Sequence, residues 1–134
     1  MRAGMPAGPN VLLTVTGRRS GSPRTFPVAL MHVGDRRFVQ SPYGEVNWVW
    51  NLRADGHATL TQGHRATLVR AVELSPDAGG PVLRDALAPY RRNRLVARFS
   101  RVFVPLGPDA TLDDHVRHVA GHPMFELLPV IDRS

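Results

Sequence analysis

The fold is decided by the stretch Asn10-Val-Leu-Leu-Thr-Val-Thr-Gly-Arg-Arg-Ser-Gly-Ser-Pro-Arg-Thr-Phe-Pro27. Its first seven residues are mostly apolar or β-branched, which is typical of a buried strand that ends at Gly17. Small and polar residues follow as far as Pro23 and predict a turn. A second strand pattern then runs over residues 24–33. Because Pro27 lies inside it and lacks an N–H group, we expect this strand at a sheet edge or a bulge.

The rest of the sequence predicts further antiparallel strands with helices inserted between them. Gly34-Asp35 is a tight-turn signal. Strands are predicted over residues 37–41, 57–62, 65–74 and 122–128. Helices are predicted over residues 47–54, 76–92 (bent or ended near Pro89) and 111–120, whereas residues 93–108 give no clear pattern. The fold class is therefore mainly β with inserted helices (α+β), arranged as a small closed or partly open β-barrel.

Composition limits what this chain of 134 residues can do. The absence of Cys excludes disulfides, thiolate metal sites and cysteine nucleophiles, and the absence of Lys excludes Schiff-base chemistry. The net charge of +6, carried by Arg alone, attracts anions without choosing among them. No apolar run approaches the roughly 20 residues of a membrane span, and no signal-peptide core is visible, so we expect a cytoplasmic protein without integral membrane contact. Residues 1–10 are expected to be a short flexible extension and residues 11–134 one domain.

The turn Thr16–Arg24 is the first candidate site. It holds three Arg, two Ser and two Gly. Glycine lets successive backbone N–H groups converge on an anion, and Arg and Ser add further donors. The alternative is a solvated basic turn, which is the usual situation of exposed arginines.

The segment Ser41–Asn51 is the second candidate site. A loop rich in Pro, Gly and Tyr runs directly into a helix start that carries Trp48 and Trp50. Such a loop can lie along a planar ring, with helix N-terminal amides meeting its polar edge. Two residues apart on a helix, the two tryptophans cannot share a face, so we expect one to be packed and the other to face a pocket or a partner subunit.

These two segments together resemble the deazaflavin-dependent nitroreductase and quinone-reductase group of the flavin-binding split β-barrel proteins. The opening signature of that group, Thr-Gly-Arg-(Lys/Arg)-(Ser/Thr)-Gly-x-Pro-Arg-x-x-Pro, matches residues 16–27. The segments Ser41–Trp48 and Asn51–Ala54 resemble its next blocks. The resemblance implies a homodimeric split β-barrel that uses reduced coenzyme F-420 to transfer hydride to an electron-poor quinone, enone or nitro compound.

The resemblance also implies which residues contact the cofactor. The residues that correspond to the phosphate and acidic-tail turn, and to the strand after it, are Arg18, Arg19, Ser20, Arg24, Thr25, Phe26, Pro27 and Val28. Those that correspond to the loop beside the deazaflavin ring are Gln40, Ser41, Pro42, Tyr43, Asn47 and Trp48. No catalytic residue follows with certainty. Tyr43 and Tyr90 are the candidate proton donors, since a tyrosine commonly lines the substrate side of the family, although packing with a solvent-facing hydroxyl is the favoured explanation for each.

Three histidines near the C-terminus are a weaker candidate site. His115 and His118 are three apart on a predicted helix and His122 follows. No carboxylate stands at a familiar zinc offset, and Gly121 and Pro123 end the helix before His122. We therefore predict a solvated helix face and no metal site.

Other functions remain open from sequence alone. The same barrel can use FMN or bind heme or another tetrapyrrole, and a non-catalytic protein can carry the deazaflavin or a lipid. A single-stranded nucleic-acid barrel ranks last, because no strand interleaves aromatic residues with Arg and only 7% of the residues are aromatic.

Overall fold

The computed structural model of the protein describes residues 11–91, Leu106 and 109–130. The predicted N-terminal extension and most of the segment 93–108 lie outside these residues. The strands are β1 (Val11–Thr16), β2 (Pro23–Pro27), β3 (Leu30–Val33), β4 (Arg36–Gln40), β5 (His57–Gln62), β6 (Arg65–Leu74) and β7 (Met124–Pro129). The helices are α1 (Asn47–Asp55), α2 (Pro76–Arg91) and α3 (Leu112–Gly121).

The seven strands form one antiparallel sheet in the order β2-β1-β5-β6-β7-β4-β3. The two edge strands, β2 and β3, are neighbours in sequence. Strand β2 ends at Pro27, and β3 begins at Leu30. Three residues span at most about 11 Å, whereas a flat sheet of seven strands would be about 29 Å wide. The sheet must therefore curl until its edges meet, which makes it the predicted barrel.

The prediction of one strand over residues 24–33 is wrong. The segment forms two strands that pair with different partners, β2 with β1 and β3 with β4. The amide of Val28 makes the last contact with the first hairpin, donating to the Val11 carbonyl at 3.2 Å. The chain then changes neighbours, because the curled sheet brings its opposite edge alongside. Pro27 lies on an edge strand as predicted.

The sheet is covered on both faces where β4 and β7 lie. Val39 and Phe125 face a core that includes Leu13, Leu60 and residues of α1. Their chain neighbours Phe38 and Met124 point to the other face and pack on α2 and α3. Because successive strand residues point to opposite faces, two consecutive buried residues show that both faces exclude water.

The helices begin and end where local sequence signals predict. Ser75 accepts a hydrogen bond from the amide of Ala78 at the start of α2, and Thr111 forms a capping box with Asp114 at the start of α3. Helix α1 ends at Gly56, whose φ of 84° is the left-handed conformation that favours glycine. None of the described helices is long and apolar enough to cross a membrane.

Helices α2 and α3 approach closely at a pair of buried glycines. A Cβ atom on Gly79 would lie 2.8 Å from a methyl group of Val119. On Gly80 it would lie 2.5 Å from a methyl group of Val116, and 3.0 and 3.1 Å from the Val116 backbone nitrogen and Cα. The contact at Gly80 involves backbone, which cannot rotate away, so this glycine sets the distance between the helices.

We expect Gly80→Ala to lower the free energy of unfolding by about 1–2 kcal/mol, since overpacking of about 1–3 kcal/mol exceeds the helix-propensity gain of about 0.5–1 kcal/mol. The measurement is the urea midpoint. Gly121→Ala is the matched control, because a Cβ there has nothing within 4 Å. A Gly80→Ala variant as stable as the parent would disprove this close approach.

Candidate cofactor site

A cavity of about 540 Å³ opens between the turn that follows β1 and the N-terminal end of α1. Its lining residues are Gly17, Arg18, Arg19, Ser20, Arg24, Thr25, Phe26, Val46, Asn47, Trp48 and Asn51. The two segments that the sequence singles out therefore meet in space. The turn supplies cations on one side, and the helix supplies its first turn on the other.

Arg18 fastens the turn to the helix. Its backbone amide donates to Asn51 Oδ1 at 3.1 Å, and its guanidinium donates to the same oxygen at 2.7 Å and to the Asn47 carbonyl at 3.4 Å. Asn51 is buried in α1. Its amide oxygen therefore fixes the turn against the helix, so that the cavity has one shape before any ligand binds.

The cavity carries positive charge that the described residues do not neutralise. No carboxylate in the part of the chain that the structure describes forms an ion pair with Arg18, Arg19 or Arg24. The N-terminus of α1 adds to this charge, because no side chain caps it and no acidic residue occupies its first turn. The cavity therefore fits a multiply anionic group.

We expect Asn51→Ala to lower the free energy of unfolding by about 1–3 kcal/mol, because the Arg18 amide loses a buried acceptor. Chemical unfolding measures this loss. Asn47 supplies only its backbone carbonyl to Arg18, so Asn47→Ala is the control and should cost much less. Equal losses in the two variants would contradict the anchoring role of Asn51.

Trp48 lines both this large cavity and a small one. Its ring stacks on Phe26 with centroids 5.0 Å apart and tilts against Phe125 at 6.0 Å. The small cavity, about 130 Å³, is lined by Pro27, Val28, Ala29, Met31, Gln40, Pro42, Trp48 and His118. A flat ring wall shared by a cationic cavity and an apolar one suits a ligand with an anionic handle and a planar head.

The two cavities include all fourteen predicted cofactor residues except Ser41 and Tyr43. Ser41 is fully buried and its hydroxyl donates to the Gly44 carbonyl at 2.5 Å, which holds the loop in shape. Tyr43 is 82% exposed and lines neither cavity. Tyr90 belongs to α2, and its side chain lies outside the described part of the structure. Whether any of these residues binds the cofactor or donates a proton stays a prediction.

The two tryptophans differ in burial, as their spacing predicts, but the packed one and the one that faces a pocket are the same residue, and Trp50 lines neither cavity. Trp48 is packed and lines both cavities, whereas Trp50 is 44% exposed. The indole nitrogen of Trp50 donates to the Glu45 carbonyl at 3.2 Å, and Arg53 lies over its ring. Arg53 also contacts Glu45 at 2.6 Å and Glu73 at 2.7 Å, and these carboxylates raise the pKa of the guanidinium. This network ties α1 to β6 and supports the helix that forms the cavity wall.

Sequence reasoning missed several lining residues. Val46 and Asn51 lie within the second candidate segment but received no role there. An amide side chain four residues after a helix start gives no local signal, because its partner, Arg18, is distant in sequence. His118 and Met31 reach the small cavity only through the curl of the sheet and the packing of α3.

The prediction of a solvated histidine face is wrong. His115 is fully buried, and its Nδ1–H donates to the Thr111 carbonyl at 2.6 Å. His118 and His122 are half-buried and stack with ring centroids 4.1 Å apart. The helix face packs inward because α3 covers the sheet beside α2. No group of three His, Cys, Asp or Glu side chains among the described residues could hold a metal ion.

Burial, together with the neighbouring His122 and His115, lowers the pKa of His118 to about 4. An unfolded histidine has a pKa of about 6.5. The unfolded chain therefore binds this proton more readily, so the associated stability is complete above pH 6.5 and is lost as the pH falls through 4.

Because the His118 ring is half-exposed, solvent screening reduces the stability effect of this pKa shift. We expect acidification from pH 7 to pH 4 to lower the free energy of unfolding by about 1–2 kcal/mol through this group. Urea unfolding of the parent and of His118→Gln at both pH values isolates it from the acidic groups that titrate in the same range. The variant should lose less stability than the parent on acidification. An identical pH dependence would contradict the shifted pKa.

The curled sheet resembles solved structures of other proteins. These include an F420-H2 dependent reductase, FDR-A (TM-score 0.55, 18% identity, 87% of this chain and 91% of that one). A FAD-binding protein from Mesorhizobium loti gives a TM-score of 0.55 at 15% identity, covering 95% and 86%. The heme storage protein HutZ from Vibrio cholerae gives 0.56 at 12% identity, covering 92% and 83%. No curated protein is significantly similar in sequence.

The curled sheet is a split β-barrel. The sequence profile of the F420H(2)-dependent quinone reductases matches residues 2–93, which is more than half of the chain. The chain belongs to this family. It is an oxidoreductase, and its cofactor is coenzyme F-420.

Proposed function

We propose that the protein reduces an electron-poor quinone, enone or nitro compound with hydride from reduced coenzyme F-420. The observation that carries this proposal is the pair of cavities that share Trp48, one lined by arginines without a described ion pair and the other mostly apolar. This combination matches a charged tail joined to a planar redox ring.

The arginine turn would hold the anionic part of the cofactor. Arg18 is fixed by Asn51, and Arg19 and Arg24 keep donors free for phosphate and carboxylate oxygens. Ser20 donates no hydrogen bond to a described residue, and its oxygen accepts from the Ser22 amide at 3.1 Å. Its hydroxyl hydrogen is thus available to an anion.

The chain's contribution to catalysis is positioning and water exclusion. When bound, the cofactor supplies the hydride chemistry. Trp48 and Pro42 would provide flat and apolar contacts for the ring, Gln40 would provide a polar one, and Pro27 and Val28 would add further apolar contacts. An apolar wall keeps water from the reacting atoms and orients two planar molecules face to face.

The proposal extends to three further points. The second protomer of a homodimer would cover a large exposed side chain such as Tyr43, which lies in the cofactor loop. Residues 11–134 would form one domain, since every described element belongs to the sheet or packs on it. The cytoplasmic location stays a prediction.

Spectral titration of the purified protein with oxidised coenzyme F-420 tests the cofactor proposal, and FMN and heme are the matched competitors. We expect saturable binding of the deazaflavin and no saturable binding of FMN or heme. Oxidation of the reduced cofactor by a panel of quinones, enones and nitro compounds then tests catalysis. Binding without turnover of any acceptor would favour a carrier, and a coloured protein that retains heme or FMN would overturn the proposal.

A further inference from the structure

The small cavity contains two polar side chains in an otherwise apolar wall, Gln40 and His118. Gln40 Nε2 donates to the His122 carbonyl at 3.1 Å. Within the part of the chain that the structure describes, neither ring nitrogen of His118 forms a hydrogen bond. An apolar cavity with a few convergent polar groups is the usual form of a small-molecule site. His118 therefore brings an unused hydrogen-bonding group to this cavity.

The His118 ring packs face to face against His122. It stacks on His122 with an angle of 11° between the rings, and His122 Nδ1–H donates to the His118 carbonyl at 2.8 Å. Gln40 binds the carbonyl of His122 from β4, so the end of α3 is tied to the sheet. A ring fixed in this way loses little conformational entropy when a ligand binds.

The imidazole is neutral near pH 7, because burial and two neighbouring histidines keep its pKa at about 4. A neutral imidazole carries one N–H donor and one acceptor nitrogen. It thus suits an uncharged carbonyl or nitro oxygen better than the anionic tail of the cofactor, which the arginine turn serves.

We propose that His118 recognises the electron acceptor by donating an N–H hydrogen bond to its carbonyl or nitro oxygen. This inference rests on the proposed function. In the reduction of a quinone or an enone, a C–H bond of the reduced cofactor would break as its hydride forms a new C–H bond at an electrophilic carbon of the acceptor, and the π electrons move onto the oxygen. The His118 N–H stabilises the negative charge that develops there, and water then supplies the proton. The acceptor is reduced and the cofactor is oxidised by two electrons.

The role makes His118 a specificity residue. Acceptors that present an oxygen to the His118 N–H would bind and react better than apolar rings of the same size. Loss of one such hydrogen bond reduces affinity by about 3- to 10-fold.

The test is calorimetric titration of the purified protein, without cofactor, with 2-methyl-1,4-naphthoquinone. His118→Phe removes both nitrogens but keeps a flat ring against His122, and His118→Gln restores an N–H donor. His64→Phe, in the exposed turn between β5 and β6, is the control. We expect about 3- to 10-fold weaker quinone binding for His118→Phe, recovery to within about threefold for His118→Gln, and no change for the control. Deazaflavin affinity should stay within about twofold throughout.

Unchanged quinone affinity in His118→Phe would overturn the inference. So would a fall in deazaflavin affinity with quinone affinity intact, because His118 would then contact the cofactor instead. If His118→Phe does not fold, His118→Met removes the same donor. Failure of the parent to bind the deazaflavin would defeat the proposed function, yet the quinone titration without cofactor would still report on His118.

Discussion

Replacing Arg19 and Arg24 together by Ala is expected to weaken binding of oxidised coenzyme F-420 by about a hundredfold at low ionic strength. Hydrogen bonds between charged groups contribute about 1.5–3 kcal/mol each, and exposure to solvent reduces that value. Neither side chain forms a hydrogen bond or an ion pair with another described residue, so their loss should leave the fold unchanged. Spectral titration measures the affinity.

The salt dependence of this loss separates charge from shape. Screening shortens the range of exposed charge contacts to about 3 Å at 1 M salt, so the difference between the parent and the double variant should shrink as salt is added. Arg65→Ala/Arg70→Ala is the matched control. It removes the same charge from exposed positions on β6 that line neither cavity, and it should change affinity only slightly.

Equal losses in the two double variants would mean that net charge, rather than the turn, attracts the cofactor. A loss for Arg19→Ala/Arg24→Ala that does not change with salt would contradict the electrostatic explanation.

Trp48→Ala is expected to remove both cofactor binding and a large part of the stability. The indole stacks on Phe26 and tilts against Phe125, and it lines both cavities. Truncation of a large aromatic side chain costs about 3–5 kcal/mol when it is fully buried. Because Trp48 is only partly buried, we expect about 2–4 kcal/mol, measured by urea unfolding.

Two further variants separate the roles of Trp48. Trp50→Ala is the neighbouring control, and its exposed ring should contribute less than about 1 kcal/mol. Trp48→Phe keeps an aromatic contact with Phe26 and should recover most of the stability, but deazaflavin binding only in part, because a smaller ring covers less of the ligand. Similar losses in Trp48→Ala and Trp50→Ala would contradict the central position of Trp48.

The local elements of the fold could be predicted from sequence because their signals are local. Strands β5 and β6 alternate apolar and polar residues, Ser75 and Thr111 cap helices, and Gly56 ends α1. Each of these features depends on residues within a few positions of one another. The arginine turn was identified for the same reason, since its composition is unusual over nine residues.

Contacts between distant segments could not be predicted. No local sequence signal predicts that Arg18 contacts Asn51, or that His118 and Gln40 line the same small cavity. The histidine face was predicted to be solvated because its spacing shows only which residues share a face. Which face packs on the sheet depends on the position of α2, which α3 contacts closely at Gly80.

The sequence alone determined the arginine turn, the aromatic helix start and a β-rich chain, because short-range sterics and hydrogen bonding select those structures. Only the tertiary structure decided that β7 lies between β6 and β4, and that the segment around Val28 crosses from one sheet edge to the other. Strand order follows from burying both faces of a curled sheet at once. That requirement involves the whole chain. The resulting curl of the sheet brings together the distant segments that line the two cavities.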